Sequence, residues 1–206
     1  MVPIAEVKED TEKSSSSGRI FAMLKDRQIL IYFSVILLIV GYEVGLMTAM
    51  PKYLLERCHM PLDQGGLANS LYFAARTIGM FLGTFILARV AAKRFFVVTM
   101  VLAVAGYVLM MSTGVTWIIY VGLFVVGLAA ANVFAIAFSL AMQHDPSKAN
   151  EISALMITGV AGGALVAPVM GMIADASNQF VSLVVPFVCL VYILGVALLM
   201  SRKKAA

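Results

Sequence analysis

The chain has 206 residues, of which 62% are hydrophobic and 13% charged, with a formal net charge of +4. Soluble domains carry about 25% charged residues, so a water-soluble fold of this length could not cover so much apolar surface, and lipid is its solvent. The positive balance flanks apolar runs rather than forming one patch, which argues against nucleic acid as a partner.

Residues 1–27 form a separate zone. Pro3 to Lys13 is mixed in charge, and Ser14 to Ser17 is a serine run closed by Gly18. Such a segment buries too little apolar surface to fold and reads as a flexible cytoplasmic tail or linker. Phe21 to Arg27 is expected to form a short amphipathic approach helix. The polar residues after Met1 predict no cleavable secretory signal, so the first apolar run directs insertion.

Six apolar stretches follow, each near the roughly 20 residues that a helix needs to cross the hydrocarbon core. Span 1 is expected over 28–50, with Pro51 and Lys52 marking its end. Spans 2 to 6 are expected over 65–89, 95–113, 117–143, 152–174 and 180–200. Helices satisfy every backbone polar group internally, so all six are read as helices. The fold class is an all-α membrane protein, with a six-helix bundle over 28–201 and a basic cytoplasmic tail over 202–206.

Lys and Arg set the orientation. Twelve lie on one side: Lys8, Lys13, Arg19, Lys25, Arg27, Arg89, Lys93, Arg94, Lys148, Arg202, Lys203 and Lys204. Only Lys52 and Arg57 lie on the other. Both termini are therefore expected in the cytoplasm of a multi-pass protein. Spans 3 and 6 are nearly featureless, whereas spans 1, 2, 4 and 5 carry polar and small residues. Those four are expected to surround a cavity, with 3 and 6 outside.

Glu43 lies deep in span 1, where a carboxylate costs about 2.5–3.5 kcal/mol to insert. It is a candidate for function, and equally for a structural ion pair. Arg76 is the other charge far from a border. Lys52 follows Glu43 by nine residues and Gly65 precedes Arg76 by eleven, so the two groups reach similar depth. They can pair, or Glu43 can stay free to bind a proton. Asn69, Tyr72, Arg76, Gly79 and Gly83 share a helical face of span 2. Asn132, Ser139 and Gln143 recur along span 4. These amides and hydroxyls suit a polyhydroxylated solute, and also suit hydrogen bonds between helices.

Gly41 and Gly45, Gly79 and Gly83, and Gly159 and Gly163 are small-residue pairs that let helices approach closely. Pro168, after Gly162 and Gly163, is expected to bend span 5 and to suit a moving gate. Cys58 and Cys189 form no disulfide framework. His59 and His144 are isolated, so no metal site is expected, and no phosphate-binding or dinucleotide loop is present. No cofactor and no enzyme chemistry are expected.

Several stretches resemble the sugar:proton symporters of the fucose–galactose–hexose type in the major facilitator superfamily. Val40-Gly-Tyr-Glu-Val-Gly45 resembles their seventh helix, and Tyr72-Phe-Ala-Ala-Arg-Thr-Ile-Gly-Met-Phe-Leu-Gly83 their eighth. Arg89 to Phe96 resembles the basic loop that follows. Phe138-Ser-Leu-Ala-Met142 and Gly162-Gly-Ala-Leu-Val-Ala-Pro168 resemble the tenth and eleventh helices. The tail is similar to their central cytoplasmic linker. The resemblance covers essentially the whole chain. It implies twelve spans in two halves, with this chain matching the second half.

The function so implied is the C-terminal six-helix half of a secondary-active, proton-coupled sugar transporter of the inner membrane, working by alternating access. Its implied partners are membrane lipid, a small-molecule sugar, and an N-terminal six-helix half or a second copy. The first half, which carries acidic coupling residues in such symporters, has no counterpart here. A fragment, a split-gene product and a self-associating half all fit. A non-transporting structural or regulatory subunit and a small six-span channel are the alternatives.

Overall fold

The computed structural model describes residue 20 and residues 22–202. Most of the expected tail, including Phe21, and the end beyond Arg202 lie outside the described residues. Among the described residues six helical units are long and apolar enough to cross a membrane, and they follow the expected spans in order. Span 1 is α1 (Arg27–Cys58), span 2 is α2 (Leu62–Leu87) and span 3 is α3 (Ala92–Met111). Span 4 divides into α4 (Thr116–Ala130) and α5 (Val133–His144). Span 5 divides into α6 (Ala149–Thr158) and α7 (Gly162–Ala176), joined by the 3-10 turn Gly159–Ala161. Span 6 is the short α8 (Gln179–Ser182) followed by α9 (Val184–Arg202).

Three features differ from the sequence expectation, each for a local reason. Within the approach segment, Met23–Lys25 form a single 3-10 turn, and Asp26 is extended and caps α1. The Asp26 Oδ1 accepts from the Gln28 and Ile29 N–H groups at 2.7 and 3.3 Å. Span 1 does not end at Pro51. It runs on to Cys58 and stops at His59, whose φ of 55° is left-handed. Proline removes one backbone donor, so continuing the helix orphans the carbonyl four residues earlier, that of Met47. A side chain from span 2 satisfies that carbonyl, as described below.

The third difference is in span 5. Its irregular turn lies at Gly159–Ala161, and Pro168 sits inside the regular helix α7. Close approach to span 1 accounts for the turn's composition. A Cβ at Gly162 would fall 1.8 Å from the Leu37 carbonyl oxygen, and one at Gly159 would fall 2.9 Å from Ile36 Cγ2. Only glycine fits where one backbone lies directly on another.

Span 1 is the centre of the bundle and packs against spans 2, 4, 5 and 6. Spans 3 and 6 pack on each other, with span 3 also on span 4 and span 6 on span 1. The core is continuous, from Ile36, Tyr42, Leu46 and Met50 of α1 through Met100 and Tyr107 of α3 to Leu190 and Ile193 of α9. Spans 3 and 4 also meet through glycine, since a Cβ at Gly122 would lie 2.7 Å from the Gly106 carbonyl oxygen. The sequence reading did not single out that pair.

Candidate functional site

Glu43 and Arg76 occupy the middles of α1 and α2, which pack side by side. Arg76 Nη1 donates to Glu43 Oε1, joining the two spans by an ion pair. The glutamate side chain is 14% exposed and the arginine 30%. The pair is therefore at the rim of the bundle, not sealed in its core. Val44 and Thr48 are exposed beside it on α1, as are Phe73 and Met80 on α2.

Asn69 is two turns before Arg76 on the same face of α2. Its Nδ2 donates to the Met47 carbonyl at 3.0 Å, the carbonyl that Pro51 leaves without a helical donor. Its Oδ1 is buried without a protein partner. Asn132 sits at the break between α4 and α5, with φ −100° and ψ 0°. It is buried, its Nδ2 donates to the Gly79 carbonyl at 2.8 Å, and its amide fills the space over Gly83. Both amides hold neighbouring helices together. Tyr72 is buried, with its ring edge-on to Phe73 at 5.5 Å. Ser139 and Gln143 bond each other at 2.9 Å along α5. From Asn132 to Gln143 the helix rises about 16 Å, so these two residues are not brought to the ion pair.

The expected packing glycines lie at helix contacts, whereas Pro168 is exposed within α7. A Cβ at Gly41 would meet Val166 Cγ2 at 2.4 Å, and one at Gly45 would meet Met170 Sδ at 2.3 Å. One at Gly79 would meet the Leu128 carbonyl oxygen at 2.3 Å, and one at Gly163 would meet Val44 Cγ2 at 2.8 Å. Gly41, Gly45, Gly162 and Gly163 thus form one seam between spans 1 and 5.

The Asn69 contact carries a prediction. Asn69→Leu strands the Met47 carbonyl in a low-dielectric setting and should destabilise the solubilised chain by about 1–3 kcal/mol, read as a lower Tm. Adding Pro51→Ala restores a backbone N–H for Met47 and should recover most of the loss. Strictly additive effects would show that Asn69 does not serve that carbonyl.

Sequence reading missed three features around the site. Tyr42 is fully buried beside Glu43, its ring 6.3 Å from that of Tyr107. The Tyr107 hydroxyl donates to the Leu183 carbonyl at 2.9 Å, where span 6 is irregular. The signal for Tyr42 was its place in the same short motif as Glu43. At the tail-side end, His144 Nε2 lies 3.0 Å from Asp26 Oδ2 and ties span 4 to span 1. This bond, followed by the Gln28 N–H, holds the Asp26 carboxyl below the usual carboxylate range. The stabilisation it adds is present at neutral pH and is lost as pH falls through that lowered value. No His, Cys, Asp or Glu cluster suited to a metal occurs among the described residues. An apolar groove of about 400 Å³ between spans 2 and 4, lined by Leu67, Leu71 and Trp117 among others, lies away from the Arg76 face.

The family model of the Major Facilitator Superfamily matches residues 7–206. The chain belongs to the major facilitator superfamily. Two solved structures of this superfamily superpose on its full length. One is the transporter FucP in the outward conformation, with 21% identity and a TM-score of 0.77. The other is a single-site variant of the E. coli fucose:proton symporter FucP, with 21% identity and a TM-score of 0.72. In both comparisons 100% of this chain matches 50% of the other, so the chain spans half the length of the transporters it resembles. A comparison with curated proteins finds no match. As a superfamily member with six membrane-capable units, the chain is a multi-pass membrane protein with a transporter fold.

Proposed function

We propose that the chain forms the C-terminal six-helix half of a proton-coupled sugar transporter that works by alternating access. The observation that carries this reading is the partly exposed Glu43–Arg76 pair. Charge left open to lipid at mid-depth is costly, and intramembrane charges mark solute and ion paths. A second bundle set against spans 1, 2, 4 and 5 would enclose the pair in a water-filled cavity. Glu43, Arg76, Asn69, Tyr72 and Asn132 would then lie on or just behind its wall, with Ser139 and Gln143 toward the cytoplasmic mouth. The symporter it resembles carries fucose with a proton, which supports a hexose-like substrate here. Uptake of labelled hexoses into vesicles that hold this chain and an N-terminal half tests the reading. Saturable uptake dissipated by a protonophore is expected, and no uptake of any hexose would reject it.

The same reading assigns both termini and the Arg89–Arg94 loop to the cytoplasm of an inner membrane, with the Cys58 end outside. Cys58 is half-buried at the end of α1, its thiol 3.3 Å from the Gly114 carbonyl oxygen. Cys189 is buried in span 6. A membrane-impermeant maleimide should therefore label intact cells through Cys58 alone. Labelling that needs permeabilised cells would invert the topology.

A further inference from the structure

Spans 2 and 3 are joined only by residues 88–91, yet they barely touch, and each packs on span 4 instead. A cleft therefore opens between them, with span 4 behind it. Leu67, Leu71, Ile78, Leu82 and Phe85 recur along α2 at helical intervals and share one face. Phe85 lies nine residues after Arg76, two and a half turns on, so this face is opposite the ion pair. Leu67 and Leu71 line the apolar groove against Trp117 and Val121 of α4. Ile78, Leu82 and Phe85 continue the stripe and are exposed, Phe85 by 72%. Arg89 ends it, four residues past Phe85, in a turn where its N–H donates to the Ile86 carbonyl at 3.0 Å. From Ile78 to Arg89 the rise is about 16 Å, close to half the hydrocarbon thickness.

The mouth of the cleft carries Arg89, Lys93 and Arg94, all exposed. Arg76, His144 and Lys148 each have an acidic partner, but none of these three does among the described residues. No Asp or Glu occurs between Asp63 and Asp145, so spans 2 to 4 offer them no counter-charge. A water-soluble anion would match the charges and leave the apolar stripe beneath them bare. An anionic phospholipid matches both. We propose that the cleft between spans 2 and 3 holds one anionic phospholipid. Its headgroup phosphate sits among Arg89, Lys93 and Arg94, and an acyl chain runs along Phe85, Leu82 and Ile78. The site faces away from Glu43 and Arg76, so it does not depend on the transport reading.

Native mass spectrometry of the whole chain from detergent micelles tests this, with phosphatidylglycerol and phosphatidylcholine of identical acyl chains added in equal amounts. One phosphatidylglycerol should be retained in preference by at least about tenfold, because each Lys or Arg at an anionic surface gives roughly a fivefold gain and salt screens part of it. Replacing Arg89, Lys93 and Arg94 together by Gln should abolish the preference and leave Tm in lipid-free detergent unchanged. Arg89→Gln alone should reduce the preference by about fivefold. Phe85→Ser should weaken retention of both lipids and keep the preference between them. Inorganic phosphate in excess should not displace the lipid. Equal retention of the two lipids, a preference that survives the triple substitution, or displacement by inorganic phosphate would overturn the proposal. So would a lipid-free dimer in the same spectra, which would give the stripe to a second copy of the chain.

Discussion

Glu43→Gln and Arg76→Gln should each destabilise the chain strongly, and the double substitution should cost less than their sum. Removing one member of a buried ion pair leaves the other charge uncompensated, a loss of about 3–5 kcal/mol in known cases. Arg76 is 30% exposed here, so water screens part of that charge and the lower end of the range is expected. Unfolding of the solubilised chain would measure both singles and the double, and the cycle isolates the coupling between them. A proton role for Glu43 is separable in the complete transporter. Glu43→Gln would abolish proton-driven uptake and spare sugar exchange, and Arg76→Gln would not rescue it. Additive losses, with proton-driven uptake intact in Glu43→Gln, would reject both roles.

The second large effect is all-or-none. The chain alone should show no sugar uptake in liposomes, and co-reconstitution with an N-terminal half should restore it. The reason is geometric: in the proposed reading spans 1, 2, 4 and 5 would supply only one wall of a cavity, and a solute path needs an opposing wall. The matched solved transporters are twice as long as the region that superposes. Robust, saturable uptake by the purified chain would defeat the half-transporter reading, unless crosslinking showed a functional homodimer in which a second copy provides the missing wall.

The six crossings were legible in the sequence because the hydrocarbon core sets both the length and the composition of each helix. The glycine pairs were legible as packing sites because a missing side chain at mid-bilayer has few other uses. Their partners were not legible, since nothing in span 1 alone says that Gly41 meets Val166. Pro51 misled because its effect was judged within one helix. The donor that repairs the helix, Asn69, belongs to another. Asn69 and Asn132 stayed open between solute contacts and helix–helix hydrogen bonds for the same reason. An amide that bonds a sugar and an amide that bonds a neighbouring carbonyl have the same sequence signature. Tyr42 was overlooked beside Glu43 because a tyrosine among apolar residues reads as core, and the bareness of its hydroxyl appears only once the neighbouring spans are in place.

The two sides of span 1 differ in how they would respond to force. Toward span 5 the contact comes down to backbone on backbone at Gly162 and the Leu37 carbonyl, with glycines against Val166, Met170 and Val44 side chains along the rest of the seam. At that point the joint has little to absorb shear, so spans 1 and 5 are expected to travel together. Toward span 2 there is a close approach only near the end, at Gly65 against Pro51, and the contact at mid-depth runs through side chains, the Arg76 guanidinium and the Asn69 amide. These can swing through several ångströms by rotamer changes alone. The bundle therefore has a stiff side and a compliant side. Any internal adjustment that accompanies rocking against a partner would concentrate between spans 1 and 2, on the side that holds the charges.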